Sequence, residues 1–175
     1  VAYNINLNTT SARRANAVAF DVREKGRIKR EPCPLTGEVV RDADGNPVWV
    51  AGELKAVKGI GWFIEEFGIA QVSMNLTDIT ITSVHEAFDA VCASAQRRGM
   101  RATGSELVGL IPLQAMLDAG RHYLRKQQRS TGVSDAELVK IAAKSLGLDD
   151  LKAFDPQASI IEYVLAAKQG DGRLA

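Results

Sequence analysis

The chain has 175 residues, 46% hydrophobic and 25% charged, a size and balance that suit one folded domain with a sizeable core. Its 22 basic and 21 acidic residues leave a net charge of +1, so no long-range field draws it to nucleic acid or to an anionic membrane. No run reaches the roughly 20 apolar residues that span a bilayer and no signal peptide precedes the first element, so a cytoplasmic address is expected.

The chain opens with "VAYNINL", in which Val1, Tyr3, Ile5 and Leu7 alternate with Ala2, Asn4 and Asn6, the period of a half-buried strand. Because Val1 already belongs to that strand, further chain is expected to precede it. Ala12, Ala15, Val18, Ala19 and Val22 then fall at helical spacing, with Gly26 as a stop. From 33 to 52, Pro and Gly punctuate two short β-prone runs, Val39–Val40 and Val48–Val50, which reads as a surface hairpin-like insertion. "GIGWFIEE" and "AQVSMNL", separated by Phe67, Gly68 and Ile69, predict an antiparallel pair of strands.

Ser83 and Glu86 form a capping box ahead of the stripe Val84, Ala87, Phe88, Val91 and Ala95, a helix ending near Gly99. A fourth strand is expected around "ATGSELVGL", and Pro112, as a first helical residue, opens the next helix. Two more helices follow. One has Ser134 and Glu137 as its capping box and Gly147 as its stop; the other runs unbroken through "DPQASIIEYVLAA" behind Asp155. The domain is expected to span 1–168, with 169–175 a loose tail. The order βαββαβ followed by helices predicts an α+β fold, a ferredoxin-like sheet with helices on one face plus additional C-terminal helices.

The other face of such a sheet carries Asn4 and Asn6 from the first strand, and Gln71, Ser73 and Asn75 from the third. These neutral groups both donate and accept, unlike the Lys and Glu of a merely solvated face. They suit a polar ligand or a second packed sheet, or they satisfy one another and water at a domain interface. In "KGIGW", Gly59 and Gly61 mark either close approach by a ligand or backbone, or a bulge. Gly104, Ser105 and Glu106 either bring N–H groups and a carboxylate towards a bound molecule or simply lead into a helix. Cys33 and Cys92 have no second Cys or His at metal-ligand spacing, and the sequence identifies no catalytic partner for His85 or His122, so no metal site, disulfide or catalytic role is expected there. Base-stacking RNA modules share this strand order but display aromatic residues on the sheet, where this chain has amides.

"VAYNINL", "RRANAVAFDVREKGR", "KGIGWFIEEFGIAQVSMNLTD", "GSELVGLIPLQAMLDAG" and "IIEYVL" together resemble, in order, the C-terminal subdomain of the glutamate formimidoyltransferase (formiminotransferase) family. The resemblance implies a transferase that moves the formimino group of N-formimino-L-glutamate to N5 of tetrahydrofolate in histidine catabolism. It implies tetrahydrofolate as co-substrate, no metal, an N-terminal formiminotransferase subdomain facing this one across the substrates, and a homodimer. The family's catalytic His belongs to that other subdomain, so no catalytic residue is expected here. The substrate-binding candidates are Asn4, Asn6, Lys58, Gly59, Gly61, Trp62, Gln71, Ser73, Asn75, Gly104, Ser105 and Glu106. Lys58 would attract a carboxylate and Trp62 would stack on a ring; a solvated Lys and a core Trp are the plainer readings. The alternative function is a stand-alone, non-catalytic ligand-binding or oligomerisation module of the same fold.

Overall fold

The computed structural model describes residues 1–34 and 36–171. In chain order it contains β1 (Ala2–Leu7), α1 (Ala12–Val22), the two-residue strands β2 (Arg27–Ile28), β3 (Arg30–Glu31), β4 (Glu38–Val39) and β5 (Trp49–Val50), then β6 (Val57–Ile64) and β7 (Ile69–Leu76). There follow α2 (Val84–Arg97), β8 (Ala102–Val108), α3 (Leu113–Lys126), α4 (Asp135–Leu146), α5 (Pro156–Ser159) and α6 (Ile161–Asp171). The main sheet runs β6-β7-β1-β8 with every neighbouring pair antiparallel. This is the expected α+β arrangement, a ferredoxin-like βαββαβ sheet with additional C-terminal helices.

Side-chain alternation sorts the sheet into two faces. Tyr3, Ile5, Leu7, Ala70, Val72, Met74 and Leu76 point to one side and are buried with Ala15, Val18, Val22, Val84, Ala87 and Val91 of α1 and α2. Each large apolar side chain withdrawn there contributes about 1.5–3 kcal/mol. Helix α1 lies directly on β6: a Cβ at Gly61 would come within 2.0 Å of the Asn16 backbone nitrogen. Gly61 of "KGIGW" therefore serves close approach by another backbone, whereas Gly59 faces the Met74 side chain. β6 pairs with β7 in unbroken register from Val57 to Ile64, with no bulge.

The same approach protects an edge. The outward Gly61 N–H donates to Asn16 Oδ1 at 2.8 Å, and the Gly59 carbonyl accepts from the Arg23 guanidinium at 3.2 Å. At the opposite edge, the Ser105 N–H of β8 donates to the Gly147 carbonyl at 2.9 Å. Both outer strands thus spend exposed ladder groups on their own chain, which discourages edge-to-edge pairing. Asp21 of α1 ties the layer together, accepting from Arg98 at 2.8 and 3.0 Å and from Ser94 at 2.6 Å and pairing with Arg27.

Three local details depart from the sequence reading. The insertion does not pair only within itself: β4 pairs with β3 and β5 with β2, so residues 27–31 run between its two arms. Pro112 caps α3 from outside, with no side-chain bond of its own, and Glu162 of α6 instead accepts from the Leu113 N–H at 2.7 Å. The last expected helix breaks at Ile160, which is fully buried and forms a parallel bridge with Ile111. That tertiary bridge outweighs the local helical pattern. Helix α6 runs to Asp171, and the rest of the tail expected over 169–175 lies outside the described residues.

The two strand glycines are not equivalent. Gly61→Ala must displace α1 backbone and is expected to cost about 1–3 kcal/mol. Gly59→Ala meets no α1 backbone, its nearest neighbour being the Met74 Cγ at 3.3 Å, and should cost less. Urea denaturation of the two variants measures the order, and equal stabilities would contradict the backbone contact.

Candidate functional site

Among the described residues, the sheet face opposite α1 and α2 is open. Lys58, Ile60, Trp62, Asn75 and Val108 on it are exposed, Trp62 to 44%. Trp62 is therefore not a core residue. The register sets Trp62, Gln71, Asn6 and Gly104 side by side across the four strands. Ile60, Ser73, Asn4 and Glu106 form the next row, and Lys58, Asn75, Ala2 and Val108 the third.

The first row is a continuous hydrogen-bonded chain. Trp62 Nε1 donates to Gln71 Oε1 at 3.2 Å, Gln71 Nε2 to Asn6 Oδ1 at 2.6 Å, and Asn6 Nδ2 to Asp150 Oδ2 at 2.8 Å. Thr103 donates to the same Asp150 oxygen at 3.1 Å. An indole N–H can only donate and a carboxylate can only accept, so the two ends dictate which way both amides turn. Gln71 and Asn6, with no measurable exposure, are thereby satisfied as buried polar groups must be. The amides neither solvate freely nor pair at random.

Asp150 was not among the residues expected from sequence. It follows Gly147, which ends α4 in the left-handed conformation at φ 62°, and the reversal carries the chain around the β8 edge onto the open face. Gly104 makes room for it, since a Cβ there would come within 2.3 Å of the Asp150 Cβ. Lys152, from the same turn, pairs with Glu106 at 3.1 Å. No periodicity announces a partner 144 residues away; the Gly-x-x-Asp sequence after a capping box was the available sign.

The remaining candidates divide. Asn4, Ser73 and Asn75 share the open face with Gln71 and Asn6, and their side chains form no hydrogen bond with another described residue. Lys58 is exposed on the outer strand of the same face. Gly59 and Gly61 lie on the other side, against Met74 and α1, and do not line the open face. Ser105 also faces the helices: its hydroxyl accepts from Tyr3 at 2.8 Å and donates to the Leu146 carbonyl at 2.6 Å. These three residues were expected at the ligand face, but strand alternation puts them in register with Met74, Val72 and Ile5, on the helix side.

A second polar cluster joins α2 to α3 inside the helical layer. The His85 and His122 rings stack with centroids 4.4 Å apart. His122 Nε2 and Lys126 Nζ each lie 2.8 Å from Asp89 Oδ2, and Ser83 Oγ lies 3.0 Å from His85 Nε2. Burial would raise the Asp89 carboxyl, but bonds from Lys126 and His122 outweigh it and hold the group below its usual range. Burial, reinforced by His122, pushes His85 below the ordinary histidine value, against weaker opposing pulls from Glu86, Asp89 and Asp118. His85 Nδ1 is buried with no partner among the described residues. No hydrogen bond links the two rings, whose contact packs α2 against α3.

The class that this fold and face define is a one-sided α+β domain whose hydrogen-bonding surface is preset by its own charged and indole ends. Comparison with known proteins places it further: the family model described as Formiminotransferase domain matches residues 2–166. The chain belongs to the formiminotransferase domain family. It is 39% identical over 171 residues to a Formimidoyltransferase-cyclodeaminase of Gallus gallus, covering 98% of this chain and 28% of that protein. It is 38% identical over 165 residues to a Formimidoyltransferase-cyclodeaminase of Sus scrofa, covering 94% and 27%. A Glutamate formimidoyltransferase of Thermoplasma acidophilum is 30% identical over 125 residues, covering 71% and 33%. The chain thus spans a third or less of the length of these relatives. Among the described residues, no group of three or more His, Cys, Asp or Glu is placed to hold a metal ion, and no helix is long and apolar enough to cross a membrane.

Two measurements check this geometry. Asp150→Ala leaves the buried Asn6 Nδ2 without its acceptor and is expected to cost about 1–3 kcal/mol in urea denaturation, whereas Lys152→Ala, at an exposed lysine, should cost under about 1 kcal/mol. Equal costs would contradict the amide chain. Because His85 binds a proton less readily folded than unfolded, stability should fall as pH drops below about 6.5. His85→Gln should flatten that slope while retaining the later loss, in more acid solution, that follows protonation of Asp89.

Proposed function

We infer that this chain is the folate-binding second lobe of a glutamate formimidoyltransferase, acting in histidine degradation in the cytoplasm. The observation that carries the reading is the open sheet face, with its oriented amide chain, in a chain of this family. A face built this way is ready for a polar, multiply hydrogen-bonding occupant without first breaking an apolar core. The N-terminal formiminotransferase subdomain would cover the face, leaving N-formimino-L-glutamate and tetrahydrofolate between the two lobes of each protomer in a homodimer.

The reaction moves the formimino carbon from the glutamate nitrogen to N5 of tetrahydrofolate. One C–N bond forms and one breaks, and the N5 proton ends on the departing glutamate nitrogen. This lobe contributes position and preset dipoles, which cost no reorganisation as charge develops. Ser73 and Asn75 keep donors and acceptors available at the face, with Asn4 more deeply set beside Ser73; Gln71 and Asn6 hold the adjacent row in one orientation. Trp62 offers an exposed ring whose N–H is already committed to Gln71, fixing its plane for stacking. Lys58, at the outer strand, supplies positive charge for a substrate carboxylate. Glu106 is tied to Lys152, and the base that takes the N5 proton is assigned to the other lobe's His.

In a two-lobed transferase carrying this chain as its second lobe, Asn75→Ala and Gln71→Ala should each lower kcat/KM for tetrahydrofolate by about tenfold or more, with circular dichroism unchanged. Wild-type kinetics in both variants would remove the face from the substrate site. Saturable folate binding without any transfer would instead favour the non-catalytic binding module.

A further inference from the structure

A separate cavity of about 350 Å³ lies on the helix side of the sheet, where the segment 27–50 folds back beside α1. Arg13, Asn16, Ala17 and Phe20 of α1 and its C-cap Arg23 form one wall, and Arg27, Ile28, Arg30 and Trp49 close it from the segment 27–50. Four guanidinium groups around one small space repel one another unless something opposes them. Asp21 opposes Arg27 alone, and Arg98 shares that carboxylate.

The other three have no carboxylate within salt-bridge distance among the described residues. Arg23 bonds to the carbonyls of Gly26 and Gly59 and lies 4.0 Å over the Phe20 ring. Arg30 donates to the Gly37 carbonyl at 2.9 Å, a bond that uses one of five donors. Arg13 is exposed at the mouth. Lys25 adds a further cation 4.4 Å over the Trp49 ring. Burial pushes the Arg23 guanidinium below its usual value, as expected for positive charge held partly out of water.

The cavity therefore combines unopposed, planar guanidinium donors with an apolar floor of Ala17, Phe20 and Ile28 and one half-exposed indole. Guanidinium forks match carboxylate and phosphate oxygens, while Phe20 and Trp49 accept a flat ring. We propose that the cavity between α1 and the segment 27–50 binds a small anion, a carboxylate or phosphate carried on a flat ring, at a site distinct from the open sheet face. Its volume lies at the small end of ligand pockets, which limits the occupant to about the size of a nucleoside monophosphate. The 27–50 segment then acts as one wall of a binding site. This assignment stands apart from the transferase reading, because the cavity is on the opposite side of the sheet.

The probes are adenosine 5′-monophosphate for the phosphate source and 1-naphthoate for the carboxylate source, with adenosine and inorganic phosphate as half-ligands. Titrations of the full chain are followed by calorimetry and, in a Trp62→Phe background, by fluorescence of Trp49. At least one of the two ring-bearing anions should bind saturably, with its half-ligand about tenfold or more weaker. Raising the salt concentration should weaken it. Arg13→Glu and Arg30→Ala should each weaken it about tenfold, and Trp49→Ala should do likewise, with the urea midpoint of the exposed Arg13→Glu variant unchanged. The proposal is overturned if neither anion binds saturably, if inorganic phosphate binds as tightly as adenosine 5′-monophosphate, or if both arginine variants bind as the parent does. Loss of folate or transfer activity plays no part in this readout, so the two assignments fail independently.

Discussion

The period-two alternation along β1 and β7 is the constraint on which this molecule rests. Tyr3, Ile5 and Leu7, with Val72, Met74 and Leu76, can be withdrawn from water only on one side of the sheet, and α1 and α2 occupy that side. The same strands must then carry Asn4, Asn6, Gln71, Ser73 and Asn75 outward. A shift of one residue in either strand would exchange the two sets, so packing and site are fixed by a single register. The helices do not merely stabilise the open face; their demand for apolar partners determines what that face displays.

What the alternation exposes, a few distant residues then orient. Asp150 reaches the face because α4 ends at a left-handed Gly147 and because Gly104 offers no side chain to obstruct it. Its carboxylate sets the Asn6 amide, Asn6 sets Gln71, and the Trp62 indole completes the row. The C-terminal helices, which add no strand to the sheet, thereby control the polarity of its binding surface. Dipoles held in this way can meet a ligand without paying again for orientation.

The elements governed by local chemistry were readable in advance. Ser83 and Glu86 make both bonds of the capping box, Ser134 caps α4, and the βαββαβ order leads to the observed sheet. The polar face was legible because strand parity is a local property. Long-range contacts were not. Nothing near Ile160 signals that a bridge to Ile111 will interrupt the final helix, and nothing near Asn6 points to Asp150. Gly59, Gly61 and Ser105 show the complementary limit: a residue type that permits close approach does not say whether a ligand or a helix will make it.

The most direct test of the central claim is to follow side-chain N–H signals of the labelled chain by nitrogen–proton NMR while 5-formyltetrahydrofolate, a stable folate, is added. The Trp62 indole and the side-chain amides of Asn4, Asn6, Gln71 and Asn75 should shift together along one saturable curve, while signals from α3 and α4 stay in place. Shifts confined to the helical side of the sheet, with the amide row unmoved at saturation, would contradict the account.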